Sequence, residues 1–272
     1  MGFSLYSATG CVRCKIVKSY MKENGIAFQE FDFKSDGKDE FNAFYRKNRP
    51  SIYRGEEGVE FPLLYDEEKV IQGVGVIIAF LKTERLLDQF VSRSELSHGW
   101  VSGLTISEGD AACGDDFVAV VAFLKAQGLK TQIETDGRNV KILSQLIEKS
   151  QVDRLIFNLR GPAGLYKMIT QSPLDPEELK LSLSLVEHCP EYKIILPLQP
   201  FWRTDTQKEF ISPEEAAEAA SFVEKSTGRK THPFYIKEYS SSGEKEDLPV
   251  PNLFKYRTAC RRYMVKTEIL KK

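Results

Sequence analysis

Two cysteines near the start of the chain, Cys11 and Cys14, are spaced so that they could act as a redox-active dithiol. They follow a short apolar run, Phe3 to Tyr6, and open a segment whose apolar spacing is typical of a helix. Unpaired amides and the positive end of the helix dipole stabilise an anion at such a position. We therefore expect Cys11 to attack a disulfide and Cys14 to resolve the mixed disulfide, with the charge of Arg13 favouring the thiolate.

The same pair could instead supply half of a tetrahedral zinc site. The chain has only three histidines and no second Cys-x-x-Cys pair, and a pair at the start of a helix is atypical of a zinc knuckle. We favour the redox dithiol over zinc and expect no metal site.

The cysteine content and the apolar runs indicate the cellular compartment of the protein. Five cysteines among 272 residues are sparse and odd in number, unlike a secreted disulfide framework. The first ten residues lack a basic start and a sustained apolar stretch. The longest apolar run, Phe117 to Leu124, is far shorter than the roughly 18 residues of a spanning helix. We expect a cytoplasmic protein with no membrane partner.

The charges are balanced overall but not along the chain. There are 38 Lys and Arg residues against 39 Asp and Glu, giving a net charge of −1. Residues 254–272 contain seven basic residues and one acidic residue, whereas the middle of the chain is acidic. We expect this basic end to dock its apolar side chains onto the acidic middle and do not expect a nucleic-acid partner.

The apolar patterning predicts an α/β protein in several parts. Residues 1–84 read as β-α-β-α-β-β-α, and the polar residues 85–98 as a linker. Repeated strand-helix pairs over residues 99–239 predict a partial, mostly parallel α/β barrel or sheet of about five strands. Residues 240–253 have the composition of a second linker, and residues 254–272 are predicted to form a basic C-terminal helix.

Residues 1–84 resemble a glutaredoxin, or a glutaredoxin-like domain of the thioredoxin fold. The residues that carry the resemblance are Tyr-Ser-x-x-x-Cys-Val-Arg-Cys-Lys, beginning at Tyr6, and Val-Glu-Phe-Pro-Leu-Leu, beginning at Val59. The resemblance implies a cis bond before Pro62, packed beside the dithiol, and pairing of an extended substrate segment with the backbone around Phe61. It also implies a protein disulfide as substrate and glutathione as a cofactor. The segment that starts at Gly73 occupies the position where the family has Gly-Gly.

Three later segments resemble the radical S-adenosylmethionine enzymes that activate glycyl radical enzymes and ribonucleotide reductase. Gly103 to Ala111, Gly128 to Gly137 and Val152 to Arg160 match that family's Gly-Val-Thr-x-Ser-Gly-Gly-Glu, Asp/Glu-Thr-Asn-Gly and Val-Asp-x-Leu-x-x-Asp-Leu-Lys segments. The resemblance implies a pocket for S-adenosylmethionine at the strand ends. The residues carried over to it are Ser107, Glu108, Gly109, Asp110, Glu134, Asp136, Asn158 and Arg160.

The chain lacks the cluster ligands of those enzymes, which hold a four-iron, four-sulfur cluster on Cys-x-x-x-Cys-x-x-Cys. Residues 85–102 contain no cysteine, and Cys113, Cys189 and Cys260 stand singly. We therefore expect residues 99–239 to be a degenerate relative of these enzymes that no longer cleaves S-adenosylmethionine and instead selects a partner or a ligand.

Our leading hypothesis is a thiol-disulfide oxidoreductase or redox sensor acting on a protein disulfide. An alternative from a different class is a non-catalytic regulatory protein that binds S-adenosylmethionine, a nucleotide or a partner such as a glycyl radical enzyme or ribonucleotide reductase. A third is an atypical iron-sulfur protein related to the radical S-adenosylmethionine enzymes, using Cys11, Cys14 and a distant cysteine.

Overall fold

A computed structural model describes residues 2–55, 58–83, 87–92, 99–238 and 248–270. The chain divides into two compact units: Met1–Leu104 with Ala112–Thr131, and Thr105–Ala111 with Gln132–Lys272. The first unit thus includes segments beyond the predicted boundary at residue 84. The predicted linkers, 85–98 and 240–253, lie in large part outside the described residues, and the boundaries proposed from the sequence stay predictions.

The first unit begins with alternating strands and helices in the predicted order, to which one short hairpin is added. The elements are β1 (Phe3–Ser7), α1 (Val12–Glu23), β2 (Phe28–Asp32), α2 (Lys38–Asn48), β3 (Arg54–Gly55), β4 (Gly58–Val59), β5 (Leu63–Tyr65), β6 (Val70–Gln72) and α3 (Val74–Thr83). The sheet has the order β2-β1-β5-β6, with β1 parallel to β2 and antiparallel to β5. The added hairpin is β3 with β4.

An aromatic cluster beside β1 fixes the start of α1. The ring of Tyr6 stacks on Phe44 at 4.0 Å and on Phe31 at 5.2 Å between centroids. At the end of β2, the carboxylate of Asp32 accepts hydrogen bonds from the backbone N–H of Thr9 at 3.0 Å and from its hydroxyl at 2.5 Å. These contacts hold the loop that leads from β1 into α1.

Two further elements belong to the first unit, α4 (Gly114–Ala126) and, apart from its last residue, β7 (Trp100–Thr105). The ring of Phe123 on α4 meets Tyr20 of α1 edge to face at 5.1 Å. Phe117 stacks on Phe90 at 4.8 Å. Phe123 and Phe117 thus contact Tyr20 and Phe90, which precede residue 92. Helix α4 therefore packs on the part of the first unit that contains Cys11 and Cys14.

The second unit is built around a parallel sheet. Its elements are β8 (Lys130–Thr135), α5 (Val140–Glu148), β9 (Arg154–Asn158), α6 (Tyr166–Thr170), α7 (Pro176–Ser184), β10 (Glu191–Pro197), β11 (Phe201–Trp202), β12 (Lys208–Glu209), α8 (Pro213–Thr227), β13 (Phe234–Lys237), α9 (Leu253–Cys260) and β14 (Thr267–Leu270). Within this unit the strand order is β14-β13-β10-β9-β8, and the registered pairs from β8 to β14 are parallel. The predicted α/β class is confirmed, and β14, which lies outside residues 99–239, is a strand that the prediction did not include.

The C-terminal segment supplies the unexpected strand. Residues 254–272 were predicted to be one basic helix, which is wrong beyond Cys260, because Thr267–Leu270 pairs with β13 instead. Tyr256, Cys260 and Met264 are buried, and the Tyr256 hydroxyl donates to the carbonyl of Ile211 at 2.6 Å. The segment therefore docks through apolar side chains, as expected. None of the described helices is long and apolar enough to cross a membrane.

Candidate functional site

The first candidate site is the cysteine pair at the start of α1. Cys11 and Cys14 are joined as a disulfide, with their Cα atoms 5.3 Å apart. Cys11 caps the helix, since the backbone N–H of Cys14 donates to the Cys11 sulfur at 3.2 Å. A sulfur in this position lies on the positive end of the helix dipole, which stabilises a thiolate once the disulfide is reduced.

The two sulfurs differ in their access to solvent. Cys14 is 1% exposed, whereas Cys11 is half-buried and the next side chain, Val12, is 62% exposed. An incoming disulfide can therefore reach Cys11 but not Cys14. The arrangement suits the predicted roles of Cys11 as nucleophile and Cys14 as resolving thiol, which stay predictions.

The Phe61–Pro62 segment lies beside Cys11. The peptide bond before Pro62 is cis, as the resemblance implied, and the Phe61 carbonyl oxygen lies 4.0 Å from the Cys11 sulfur. The Phe61 ring packs on Phe33 and Phe41, with centroids 5.8 and 5.2 Å away. The apolar contacts of this ring hold the carbonyl that faces the dithiol.

A buried glutamine, which the sequence reasoning missed, fixes the same segment from the other side. The side-chain amide of Gln72 donates to the carbonyls of Tyr53 and Glu60 at 3.0 and 2.9 Å, and its oxygen accepts from the Tyr53 N–H at 2.8 Å. Gln72 is 7% exposed. A glutamine at the end of an apolar strand, Val70 to Gln72, was the available signal, because a buried amide requires partners.

The second candidate site, in the second unit, is built on a buried carboxylate just after β8. Asp136 is 0% exposed and accepts two hydrogen bonds from the guanidinium of Arg138, at 3.0 and 2.6 Å, and a third from the Arg138 backbone N–H at 3.4 Å. The Nε atom of Arg160 lies 3.8 Å from the same carboxylate. The hydrogen bond to Asp136 raises the pKa of Arg138, so the Arg138 guanidinium stays charged beside this buried carboxylate.

A tyrosine hydroxyl joins the loops that carry these charges. Tyr166 is 1% exposed, donates to the carbonyl of Asp136 at 3.2 Å and accepts from the backbone N–H of Arg160 at 3.1 Å. Burial raises the pKa of Tyr166 far above its ordinary value, so the hydroxyl stays neutral and remains a donor. The loops after β8 and β9 are thereby held in one arrangement.

The remaining predicted residues take different places. The Ser107 hydroxyl accepts from the Asp136 N–H at 2.8 Å, and Asn158 donates to Glu134 at 3.2 Å. Asp110 is exposed, whereas Gly109 is buried, and its carbonyl accepts from the side chain of Asn139 at 2.8 Å.

Asp136 and Arg160 line a polar cavity of about 210 Å³. The lining residues are Glu108, Asp136, Arg138, Arg160, Ile169, Thr170 and Gln199. Of the predicted set, Ser107 supports the cavity through Asp136, while Glu134 and Asn158 pair with each other and are not among the lining residues. Arg138, Tyr166 and Gln199 were not foreseen, because no motif marks them.

The cavity and its surroundings do not fit the cofactors of the radical S-adenosylmethionine family. Its volume lies below the roughly 300 to 1,000 Å³ typical of pockets for larger organic ligands. Among the described residues, no group of three or more His, Cys, Asp and Glu side chains could hold a metal ion. Cys189 and Cys260 are buried, which raises the pKa of each thiol to about 12. We derive no step through a cluster or through S-adenosylmethionine.

Comparisons with known proteins leave the family open. No family model matches the chain, and no curated protein matches it. Among solved structures, it is similar to a domain of pyruvate-formate lyase-activating enzyme from Bacteroides vulgatus ATCC 8482, with 13% identity over 63% of this chain and 100% of that chain and a TM-score of 0.41. A chorismate mutase/shikimate 5-dehydrogenase fusion protein from Clostridium acetobutylicum has 16% identity over 70% and 75% of the two chains and a TM-score of 0.17. Both scores are too low to support a functional argument.

Proposed function

We propose that the protein is a thiol-disulfide oxidoreductase or redox sensor that works through Cys11 and Cys14. The observation that carries this proposal is the disulfide at the start of α1, in which the half-buried Cys11 sulfur accepts the N–H of the buried Cys14. The strand and helix order of residues 1–84, and the position of Pro62 beside the dithiol, support a thioredoxin-like fold for this segment. A cycling dithiol requires a supply of reductant, which suits the cytoplasm.

The reaction moves two electrons from the dithiol to a substrate disulfide. The Cys11 thiolate attacks one substrate sulfur, forms a mixed disulfide and releases the other substrate sulfur as a thiolate, which takes a proton from water. The Cys14 thiol then loses its proton to solvent, and its sulfur attacks the Cys11 sulfur and releases the second substrate thiolate. The Cys11–Cys14 disulfide forms again, as in the structure. Two equivalents of a small thiol such as glutathione, or one dithiol protein, would reduce it.

The test is a single-turnover exchange between the reduced protein and a disulfide-bonded peptide. Cys11→Ser should reduce the rate to that of the uncatalysed reaction, whereas Cys14→Ser should accumulate a mixed disulfide on Cys11 that mass spectrometry detects. Cys113→Ser is the matched control, because Cys113 is a half-buried free thiol, and its rate should equal that of the parent protein. Undiminished exchange in Cys11→Ser would overturn the proposal.

A second candidate function is ligand binding without chemistry in the Asp136 cavity. One observation favours it: the buried Nε of Arg160 has no hydrogen-bond acceptor among the described residues. The acidic Glu108 and the two arginines on the cavity wall suit a small polar ligand that offers both acceptors and donors. A glycyl radical enzyme or ribonucleotide reductase as the partner rests on the sequence resemblance alone.

Calorimetry separates this candidate from a purely structural cluster. Inorganic phosphate, which is small enough for the cavity, is titrated into the parent protein and into Arg160→Lys, which keeps the charge but loses the Nε donor. S-adenosylmethionine and adenosine, for which the cavity is small, are titrated into both proteins as comparison ligands. Heat that disappears in the variant would support a binding site. No heat with any of the three would count against ligand selection by this cavity for these ligands.

A further inference from the structure

A groove of about 360 Å³ lies beside the dithiol, within the first unit. Its lining residues are Cys11, Val12, Arg13, Gly99, Trp100, Gln127, Gly128 and Leu129. Most of them come from beyond residue 84, and none of these later residues was expected to approach Cys11. The wall that faces the dithiol therefore belongs to β7 and to the turn after α4, outside the segment that resembles glutaredoxin.

The wall is anchored to α1 through α4. The Phe123 ring of α4 packs edge to face on Tyr20, and the helix ends just before Gln127. A turn follows at Gly128, whose φ is +76°, and leads to the buried Leu129. The position of the turn relative to Cys11 is thus set by packing and does not depend on a loose connection.

The aromatic part of the wall is Trp100. The backbone N–H of Lys130 donates to the carbonyl of Gly99 at 2.9 Å, which joins the turn to the start of β7. The Nζ of Lys130 lies 5.2 Å from the centre of the Trp100 ring, within the range of a cation–π contact. Both contacts come from Lys130, so the half-buried Trp100 is held at the groove by the segment that follows the turn.

The groove is poor in charge and rich in apolar surface. Arg13 is the one charged residue of the eight that line it, whereas Val12, Trp100 and Leu129 are apolar, and Val12 is 62% exposed. Glutathione carries two carboxylates and one ammonium at neutral pH and would need partners for all three. A protein segment needs an apolar contact and room for its backbone, and a Cβ at Gly99 or at Gly128 would meet nothing within 4 Å, so there is open space at both positions.

We propose that Trp100 and the Gln127–Leu129 turn recognise an apolar side chain next to the substrate cysteine. The substrate of Cys11 is then an extended protein segment with a large apolar residue beside its disulfide. This inference rests on the proposed exchange function and specifies its substrate. Tryptophan is one of the side chains enriched among the few residues that dominate the binding energy of protein contacts.

Kinetics with three disulfides test the inference. Two peptides are identical except for Leu or Ser beside the disulfide cysteine, and the third substrate is oxidised glutathione. In the parent protein, the Leu peptide should have the highest kcat/KM. Trp100→Ala should lower kcat/KM about tenfold for the Leu peptide while leaving the Ser peptide and oxidised glutathione nearly unchanged.

Two further variants make the result decisive. Trp202→Ala, which removes the other tryptophan of the chain at an exposed position of the second unit, should change none of the three rates. Val12→Gln keeps an exposed helical position and should lower the Leu preference several-fold even where Trp100→Ala fails to fold.

The outcomes separate this inference from the function on which it rests. Equal kcat/KM for the Leu and Ser peptides, or a preference that survives both groove variants, would overturn the inference and leave the exchange function intact. Oxidised glutathione as the best substrate, with a Trp100-dependent rate, would assign the groove to glutathione instead. Absence of exchange that depends on Cys11 with every substrate would overturn both.

Discussion

The dithiol of the first unit and the Asp136 cluster of the second differ in how far their polar groups are satisfied within the chain. The Cys11 sulfur receives one backbone N–H and is half-buried. Asp136 is fully buried and receives two hydrogen bonds from the guanidinium of Arg138, while Tyr166 joins the backbones that carry Asp136 and Arg160. The comparison teaches that a reactive sulfur must stay accessible, whereas the buried carboxylate of Asp136 is stabilised by partners from its own chain.

The largest expected effect comes from removing the buried charge. Asp136→Asn leaves Arg138 and Arg160 facing each other without their anion, and we expect it to destabilise the second unit by about 3 kcal/mol. Urea unfolding measures this, followed by Trp202 fluorescence in a Trp100→Phe background because the chain has two tryptophans. Glu108→Gln, at an exposed cavity position, should cost less than about 0.5 kcal/mol. If Asp136→Asn slowed disulfide exchange in the folded protein, the two sites would not be separate.

The turns beside the two sites should tolerate a methyl group differently. Gly137 has φ +106°, and a Cβ there would lie 2.6 Å from Cδ1 of Leu179, so we expect Gly137→Ala to cost about 2 to 3 kcal/mol. Gly128 also has positive φ, but a Cβ there meets nothing within 4 Å, so Gly128→Ala should cost about 1 kcal/mol. Thermal unfolding measures both. Equal losses would mean that the turn after β8 is no more tightly packed than the turn after α4.

Removing the buried hydroxyl of the second site should have a moderate effect. Tyr166→Phe leaves the Asp136 carbonyl and the Arg160 N–H without this partner, and we expect a loss of about 1 to 2 kcal/mol. Chemical denaturation measures the loss. Tyr65→Phe is the control, since the Tyr65 hydroxyl donates to the Glu67 carbonyl at an exposed site and should contribute less than about 0.5 kcal/mol. A similar loss in both variants would argue against a tightly held second site.

The smallest expected effect is on the pH dependence of stability, which should differ between the two units. Burial lowers the pKa of His232 below its ordinary value of about 6.5. As the pH falls, the unfolded chain therefore binds a proton on this residue before the folded chain does. The free energy of unfolding of the second unit should decrease as the pH falls from 7 to 5. Hydrogen bonding to Thr9 lowers the pKa of Asp32, so its contribution to the first unit persists until the pH falls below about 4. The urea midpoint is measured at each pH, and in His232→Gln it should fall less between pH 7 and pH 5 than in the parent protein. An unchanged slope would contradict this assignment.

The sequence was sufficient for the features that depend on near neighbours. Cys11, Arg13 and Cys14 lie within one helical turn, so their spacing and the apolar pattern that follows were enough to predict that the pair lies at the start of a helix. The α/β class followed from alternating patterns, because each strand and helix carries its own periodicity. The position of Pro62 beside Cys11 came from the resemblance, which supplied a tertiary contact that spacing cannot give.

Features that depend on distant segments could not be predicted in this way. Trp100 and Leu129 reach the dithiol groove only through the packing of α4 on α1. Strand β14 was missed because its residues lie in a strongly basic segment, and pairing with β13 decided its conformation. Arg138 follows a predicted residue by two positions, but its bond to Asp136 depends on a turn geometry that the pattern does not encode.

The pKa of the Cys11 thiol tests the central claim most directly. In reduced Cys113→Ser protein, Cys11 is the one cysteine that is not buried, so the rate of iodoacetamide alkylation against pH reports its ionisation. The helix start and the Cys14 amide should stabilise the thiolate, so we expect a pKa below the ordinary value of about 8.5. A pKa at or above about 8.5 would contradict the account.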